Sequence, residues 1–342
     1  MIIYFVLLFL LFLLSIWHLD KNNLFFKILW FLIVLLLVLF IGLRYQVGGD
    51  WVTYNIFFKN YLEQDINFNL STEPFFKLFY KYIGSIGLNI YIANLISAIL
   101  LMTSLSLLLL KEKYPFTGLF LSFPVLLVIV GMGFNRQSIA LSIIIFGFLF
   151  WKRSFLRYSF FIILASLFHK SAILMVLINR FNLKFINILP LITTMFGIFL
   201  VFFFLSNHIN NIIKGYPLFE IKSYFSYIRV IYILLPSLIF LIYKKNFHIY
   251  SDYLFISKYS TFSLILIPVL ILNADIATRL SFYFLPLSII ILSRLPMMFN
   301  NLNMRISLII IIHILTICYF IFFIFYANNV NGWVPYNNIL IK

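Results

Sequence analysis

The chain has 342 residues, of which 64% are hydrophobic and only 10% charged, whereas a soluble domain of this length carries roughly 25% charged residues. Its net charge of +16 is scattered through short segments and never forms one basic module, which excludes a nucleic-acid-binding domain. A single cysteine, Cys318, excludes an internal disulfide framework and a thiolate metal cluster. Lying in an apolar run, Cys318 reads as a small buried core residue.

An apolar solvent explains this composition, and only helices or closed barrels can satisfy their backbone in lipid. Apolar runs of the length needed to cross a hydrocarbon core predict spans near 2–17, 24–43, 90–110, 116–132, 138–151 and 155–168. Further spans are predicted near 186–206, 228–243, 253–272, 276–293 and 306–326. The first run has no basic leader and no small-residue cleavage site, so it is expected to be a retained span. Segment 171–178 is too short to cross alone and reads as half of a broken helix or a re-entrant piece. Stretch 75–88 sets Phe75, Phe76, Leu78, Phe79, Tyr82 and Ile83 against Lys77 and Lys81, an amphipathic pattern that suits the membrane interface. The fold class expected is therefore all-α: one integral membrane domain over 1–342, a transmembrane helix bundle of about 11–12 membrane segments.

Lys21, Lys27, Lys111, Lys113, Lys152, Arg153, Arg157, Arg180, Lys184, Lys244, Lys245, Lys258, Arg294 and Arg305 occupy tight connections. Placing them on the cytoplasmic side puts both termini outside. The two longest polar stretches, 44–74 and 207–227, then fall on the outer face as loops, where function concentrates.

Four clusters share that outer face. In Arg44-Tyr45-Gln46-Val47-Gly48-Gly49-Asp50-Trp51-Val52-Thr53-Tyr54, the glycines permit a tight turn. Trp51 and Tyr54 offer flat faces for sugar rings, or else belong to an ordinary interfacial belt. Arg136, in Gly133-Phe134-Asn135-Arg136-Gln137-Ser138, adjoins a helix N-terminus and suits a phosphate or diphosphate, unless the segment is a plain turn. His169, in Phe168-His169-Lys170-Ser171, is an ionisable group at membrane depth and a general-base candidate, or a structural histidine. Asp275 and Arg279 are four apart on one helix face and could pair with each other; Tyr283 continues that stripe. Arg229, after Tyr224 and Tyr227, is a further cation. Together Arg44, Arg136, His169, Arg229 and Arg279 describe an anion-accepting outer cavity ringed by aromatics. No His/Asp/Glu set has metal-ligand spacing, no cofactor is implied, and His313 sits in a span with no partner suggested.

The string from Arg44 to Tyr54, followed by Glu73-Pro74, resembles the first outer loop of the EpsG family of polysaccharide polymerases. So do Asn135-Arg136-Gln137-Ser138-Ile139-Ala140, Phe168-His169-Lys170-Ser171-Ala172, Thr278-Arg279-Leu280-Ser281-Phe282-Tyr283 and Trp333-Val334-Pro335-Tyr336. The matches recur in order along the chain, except over 180–227.

The resemblance implies a Wzy-type polymerase in the bacterial inner membrane, multi-pass, with its active site facing the periplasm. Such an enzyme joins O-antigen or capsule repeat units, moving glycan from undecaprenyl diphosphate to the next lipid-linked unit. Its partners would be undecaprenyl-diphosphate-linked oligosaccharide and membrane lipids, with a chain-length regulator and a flippase beside it. On this reading Arg136 and Arg279 hold the donor diphosphate, and His169 or Asp50 takes the acceptor proton. Arg44, Trp51, Tyr54, Glu73, Gln137, Arg229, Tyr283 and Tyr336 would contact substrate. The rival readings are a lipid-linked-sugar flippase, with cations reachable from both faces, and a membrane acyltransferase that decorates the glycan.

Overall fold

A computed structural model describes residues 1–17, 19–63, 73–151, 155–180, 224–327 and 330–340. The expected span at 186–206, most of the expected loop at 207–227 and residues 64–72 of the first loop lie outside the described residues, as do His18, His208, Lys152, Arg153 and Lys184. Among the described residues the secondary structure is helical, and seven helices are long and apolar enough to cross a membrane. They are α2 (Leu24–Gly42), α5 (Ile90–Leu109), α6 (Pro115–Gly133), α9 (Tyr224–Ile242), α10 (Tyr253–Leu272), α11 (Ala274–Met298) and α12 (Leu302–Tyr326). The shorter helices are α1 (Ile2–Ile16), α3 (Trp51–Glu63), α4 (Pro74–Ser85), α7 (Asn135–Phe148) and α8 (Phe155–Phe168). The fold is a polytopic helical membrane bundle.

The chain forms two compact units, one of 1–176 with 292–342 and the other of 177–291. In the first, α6 is buried without a break from Gly118 to Gly133, as its uniformly apolar sequence requires. By contrast α1, α2 and α12 leave Phe9, Phe31 and Ile310 more than half exposed, which suits hydrocarbon rather than water as their outer contact. Cys318 is exposed on α12, so the expectation of a buried core cysteine is corrected: an apolar neighbourhood in a lipid-facing helix is not a protein interior. His313 is corrected as well, because Ser15 Oγ lies 2.7 Å from its Nε2 and its ring stacks on Phe120.

The expectation of a loop over 44–74 also needs correction, since α3 occupies Trp51–Glu63. Trp51, Tyr54 and Phe58 are all buried, and their spacing of three and four residues is a helical stripe. The amphipathic stretch is helix α4, with Phe76, Tyr80 and Ile83 inward and Tyr82 exposed. The short piece after α8 is a 3-10 turn, Lys170–Val176, followed by Leu177–Arg180.

Charged groups of the first unit gather at two ends of its helices. At one end Arg294 Nε and Nη2 donate to Glu112 Oε2 and Oε1 at 2.7 and 2.6 Å, and Lys21 Nζ donates to the Leu110 and Glu112 carbonyls. The chain passes through α2 and α5 to the opposite end, where Arg44, Glu73, Arg136, His169 and the C-terminal segment meet.

Candidate active site

The centre of that end is Glu73. Its φ of 55° is left-handed, a conformation that costs a non-glycine residue on the order of 1 kcal/mol and recurs at functional sites. Pro74 follows at the first position of α4, where its missing N–H leaves no bond unmade. Glu73 Oε2 accepts from Arg136 Nη1 at 2.6 Å, and Oε1 lies 2.6 Å from His169 Nδ1 and 3.4 Å from the Lys170 N–H. α4, α7 and the end of α8 thereby converge on one carboxylate.

Burial alone would raise the Glu73 carboxyl, but the hydrogen bond and charge of His169 and the charge of Arg136 outweigh it, holding it down at about 2. A carboxylate at neutral pH can only accept, so His169 Nδ1 carries the hydrogen on this bond. In the neutral ring, Nε2 is then the acceptor, the tautomer that a general base requires. The His169 side chain is 17% exposed and that of Arg136 29%, against 9% for Glu73. The guanidinium of Arg136 also lies over the rings of Tyr54 and Phe57, at 5.8 and 5.5 Å, a placement that stabilises a cation and fixes its plane.

Behind Arg136 sits a buried polar layer. Arg44, 1% exposed, donates Nη2 to Asn135 Oδ1 and Nη1 to the Ile41 carbonyl, both at 2.6 Å, and Nε to the Val47 carbonyl. Asn135 Nδ2 donates in turn to Asn94 Oδ1 at 2.5 Å and, more weakly, to the Tyr80 hydroxyl. Desolvation lowers the Arg44 guanidinium to about 10, with nearby tyrosines opposing the shift, so it stays a cation at neutral pH. Protein acceptors surround Arg44, which places it as a strut under the α7 N-terminus rather than at an open surface. Asn94 and Tyr80 were invisible as site residues in the sequence, because their partners lie 41 and 55 residues from them.

The C-terminal segment clasps this arrangement. The Trp333 indole packs where a Cβ on Gly49 or on Gly133 would come within 2.6 Å of it, and Nε1 donates to the Val128 carbonyl. Val128 lies in the π-helical stretch Phe123–Val130 of α6, a geometry that is frequent at functional sites. Gly48, at φ +126°, donates its N–H to the Gly332 carbonyl at 2.6 Å. The Tyr4 hydroxyl donates to the Trp333 carbonyl, and the Tyr336 hydroxyl to that of Phe40, on whose ring it stacks.

Of the residues expected to contact substrate or line an outer cavity, Glu73 touches both Arg136 and His169, and Tyr54 supports Arg136. Tyr54, Gln137 and Tyr283 are buried at 4, 2 and 0% exposure, which places them in the packing. Asp50 is partly exposed just before α3, its carbonyl accepting the Tyr54 N–H. In the second unit, Arg279 and Asp275 are exposed on α11, and Asp275 accepts from Ser226 Oγ. Arg229 stacks over Phe225 and Phe282, at 4.6 and 5.7 Å. No group of metal-ligating side chains occurs among the described residues.

Residues 27–338 match the EpsG family. No curated protein and no solved structure gives a match.

Proposed function

Because this chain belongs to the EpsG family, a Wzy-like polymerase-type family, we propose that it polymerises lipid-linked oligosaccharide repeat units of an O-antigen or capsule at the outer face of the bacterial inner membrane. Glycan passes from undecaprenyl diphosphate to a sugar hydroxyl of the next lipid-linked unit. The hydroxyl oxygen attacks the anomeric carbon, the bond from that carbon to the diphosphate oxygen breaks, and undecaprenyl diphosphate leaves with the electron pair.

The observation that carries this reading is the Arg136–Glu73–His169 cluster. His169 Nε2 takes the proton of the attacking hydroxyl while Glu73 steadies the imidazolium that forms. Glu73, held near 2, is too weak a base for that task, which favours His169. Arg136, pinned by one nitrogen and partly exposed, presents its guanidinium to the leaving diphosphate as negative charge develops there. Arg44 and Tyr54 act as positioning residues through Asn135 and the α7 N-terminus. Arg279, exposed on α11, is a second candidate for the donor diphosphate, and the same assay tests it.

The test is deletion of the gene followed by electrophoresis of the surface polysaccharide, with complementation by plasmid. Collapse of the ladder to a single repeat unit, restored by wild type but by neither Arg136→Ala nor His169→Ala, is the expected outcome. A ladder that survives deletion with altered mobility would instead indicate a decorating transferase.

A further inference from the structure

Three aromatic rings stack beside the Arg136 centre. Tyr45 and Tyr91 lie 5.7 Å apart at 19°, and Tyr91 and Trp51 5.5 Å apart at 21°. Gln46 Nε2 donates to the Tyr45 hydroxyl at 3.3 Å. The result is an aromatic stack edged by two phenol hydroxyls and a carboxamide.

This group is rigidly displayed. Arg44 and Val47, on either side of it, are each 1% exposed, whereas Gln46 is exposed. The Tyr45 N–H is tied to the Asn337 carbonyl at 2.8 Å and the Gly48 N–H to that of Gly332. Tyr91 opens α5, where the Asn89 side chain accepts its N–H. Gln46 holds φ +53°, strain that packing alone gives no reason to retain at an exposed glutamine. Trp51 and Tyr54 sit three residues apart on α3, about 4.5 Å along its axis, and Tyr54 lies under Arg136. The stack and the Arg136 centre are therefore adjacent.

We propose that Tyr45, Gln46 and Tyr91 form a carbohydrate subsite that seats a neutral pyranose ring of the oligosaccharide next to the reacting centre. The ligand's identity rests on the polymerase reading. Tyr45 lays its ring against the apolar face of the sugar, and the hydroxyl–amide edge exchanges hydrogen bonds with the sugar hydroxyls. A flat face bordered by uncharged donors and acceptors selects a polyhydroxylated ring over a phosphate. Interfacial belt tyrosines direct their hydroxyls to headgroups, whereas the Tyr45 hydroxyl is tied to the Gln46 amide and its ring stacks on Tyr91.

The test uses the full-length protein in detergent. The probe is the free repeat-unit oligosaccharide released by mild acid from the strain's own lipid-linked unit, with its Kd measured by calorimetry. Tyr45→Ala is expected to weaken binding about threefold to tenfold, and Gln46→Ala about threefold. Tyr45→Phe, which keeps the ring, should stay within about threefold of wild type. Wild-type affinity in both Tyr45→Ala and Gln46→Ala, or no binding by the wild-type protein, overturns the subsite. The deletion experiment separates the two readings. A ladder lost on deletion, alongside unchanged Kd values, removes only the subsite, whereas a ladder that survives deletion removes the polymerase reading itself.

Discussion

His169 Nδ1 and Glu73 Oε1 lie 2.6 Å apart although 96 residues separate them in the chain. This contact fixes the ring of a histidine at the end of one helix and ties it to the arginine at the start of another.

Removing the base should act on rate rather than on binding. His169→Ala is expected to lower kcat by about 10²–10⁴-fold, with KM for the lipid-linked unit little changed. Glu73→Gln keeps the shape but loses the charge, and should cost at least about tenfold through the misoriented ring. Initial rates with purified protein and lipid-linked repeat unit measure both. A His169→Ala protein with wild-type kcat would return the proton-accepting role to Asp50.

The depressed Glu73 carboxyl makes stability depend on pH with a definite sign. A group whose folded pKa lies below its unfolded value contributes fully above the unfolded pKa and is lost as pH falls through the folded one. Here the window runs from 4.5 down to about 2, and the contribution is on the order of a few kcal/mol. Melting temperatures of wild type and Glu73→Gln in detergent should differ at pH 6 and converge as the pH drops through that window. A gap that stays constant down to pH 2 contradicts the assignment.

Arg44 supplies donors to Ile41, Val47 and Asn135 from a fully buried position. Lysine brings one ammonium in place of a planar fork, so Arg44→Lys should destabilise by about 3 kcal/mol. Thermal unfolding reports the loss directly. The opposite pattern, an unchanged melting temperature with a raised KM, would mean that Arg44 touches substrate.

Gly48 and Gly87 offer a controlled comparison. Both have positive φ, at +126° and +78°, but a Cβ on Gly48 falls 2.2 Å from the Met132 carbonyl oxygen while one on Gly87 meets nothing within 4 Å. Gly87→Ala should cost about 1–2 kcal/mol from the backbone alone. Gly48→Ala adds a clash with the chain three residues before Asn135, so it should lower the melting temperature further and reduce polymer length. Equal effects would show that the Met132 contact is dispensable.

Much of the bundle was legible because a helix in lipid is specified locally. Leu24–Gly42 and Ile90–Leu109 fall within a residue of the spans predicted from hydropathy. α3 is not legible in the sequence because its stripe of Trp51, Tyr54 and Phe58 is short and interrupted by polar residues, so polarity outweighs periodicity. The acceptors around Arg44 are not legible in the sequence, which marks a cation near a helix end without revealing what surrounds it.

By itself the sequence determined that the chain is a helical membrane protein of the EpsG family, and that arginines, a histidine and aromatics gather near helix ends. Those properties follow from hydropathy, helix length and short motifs, all of them encoded within a few tens of neighbouring residues. Only the tertiary structure decided that Glu73 joins Arg136 to His169, that Asn135 and Asn94 hold Arg44 behind them, and that Tyr91 completes a stack with Tyr45 and Trp51. Hydrogen bonds and ring stacking act over a few ångströms of space, and helix packing, not chain order, brings such partners within reach.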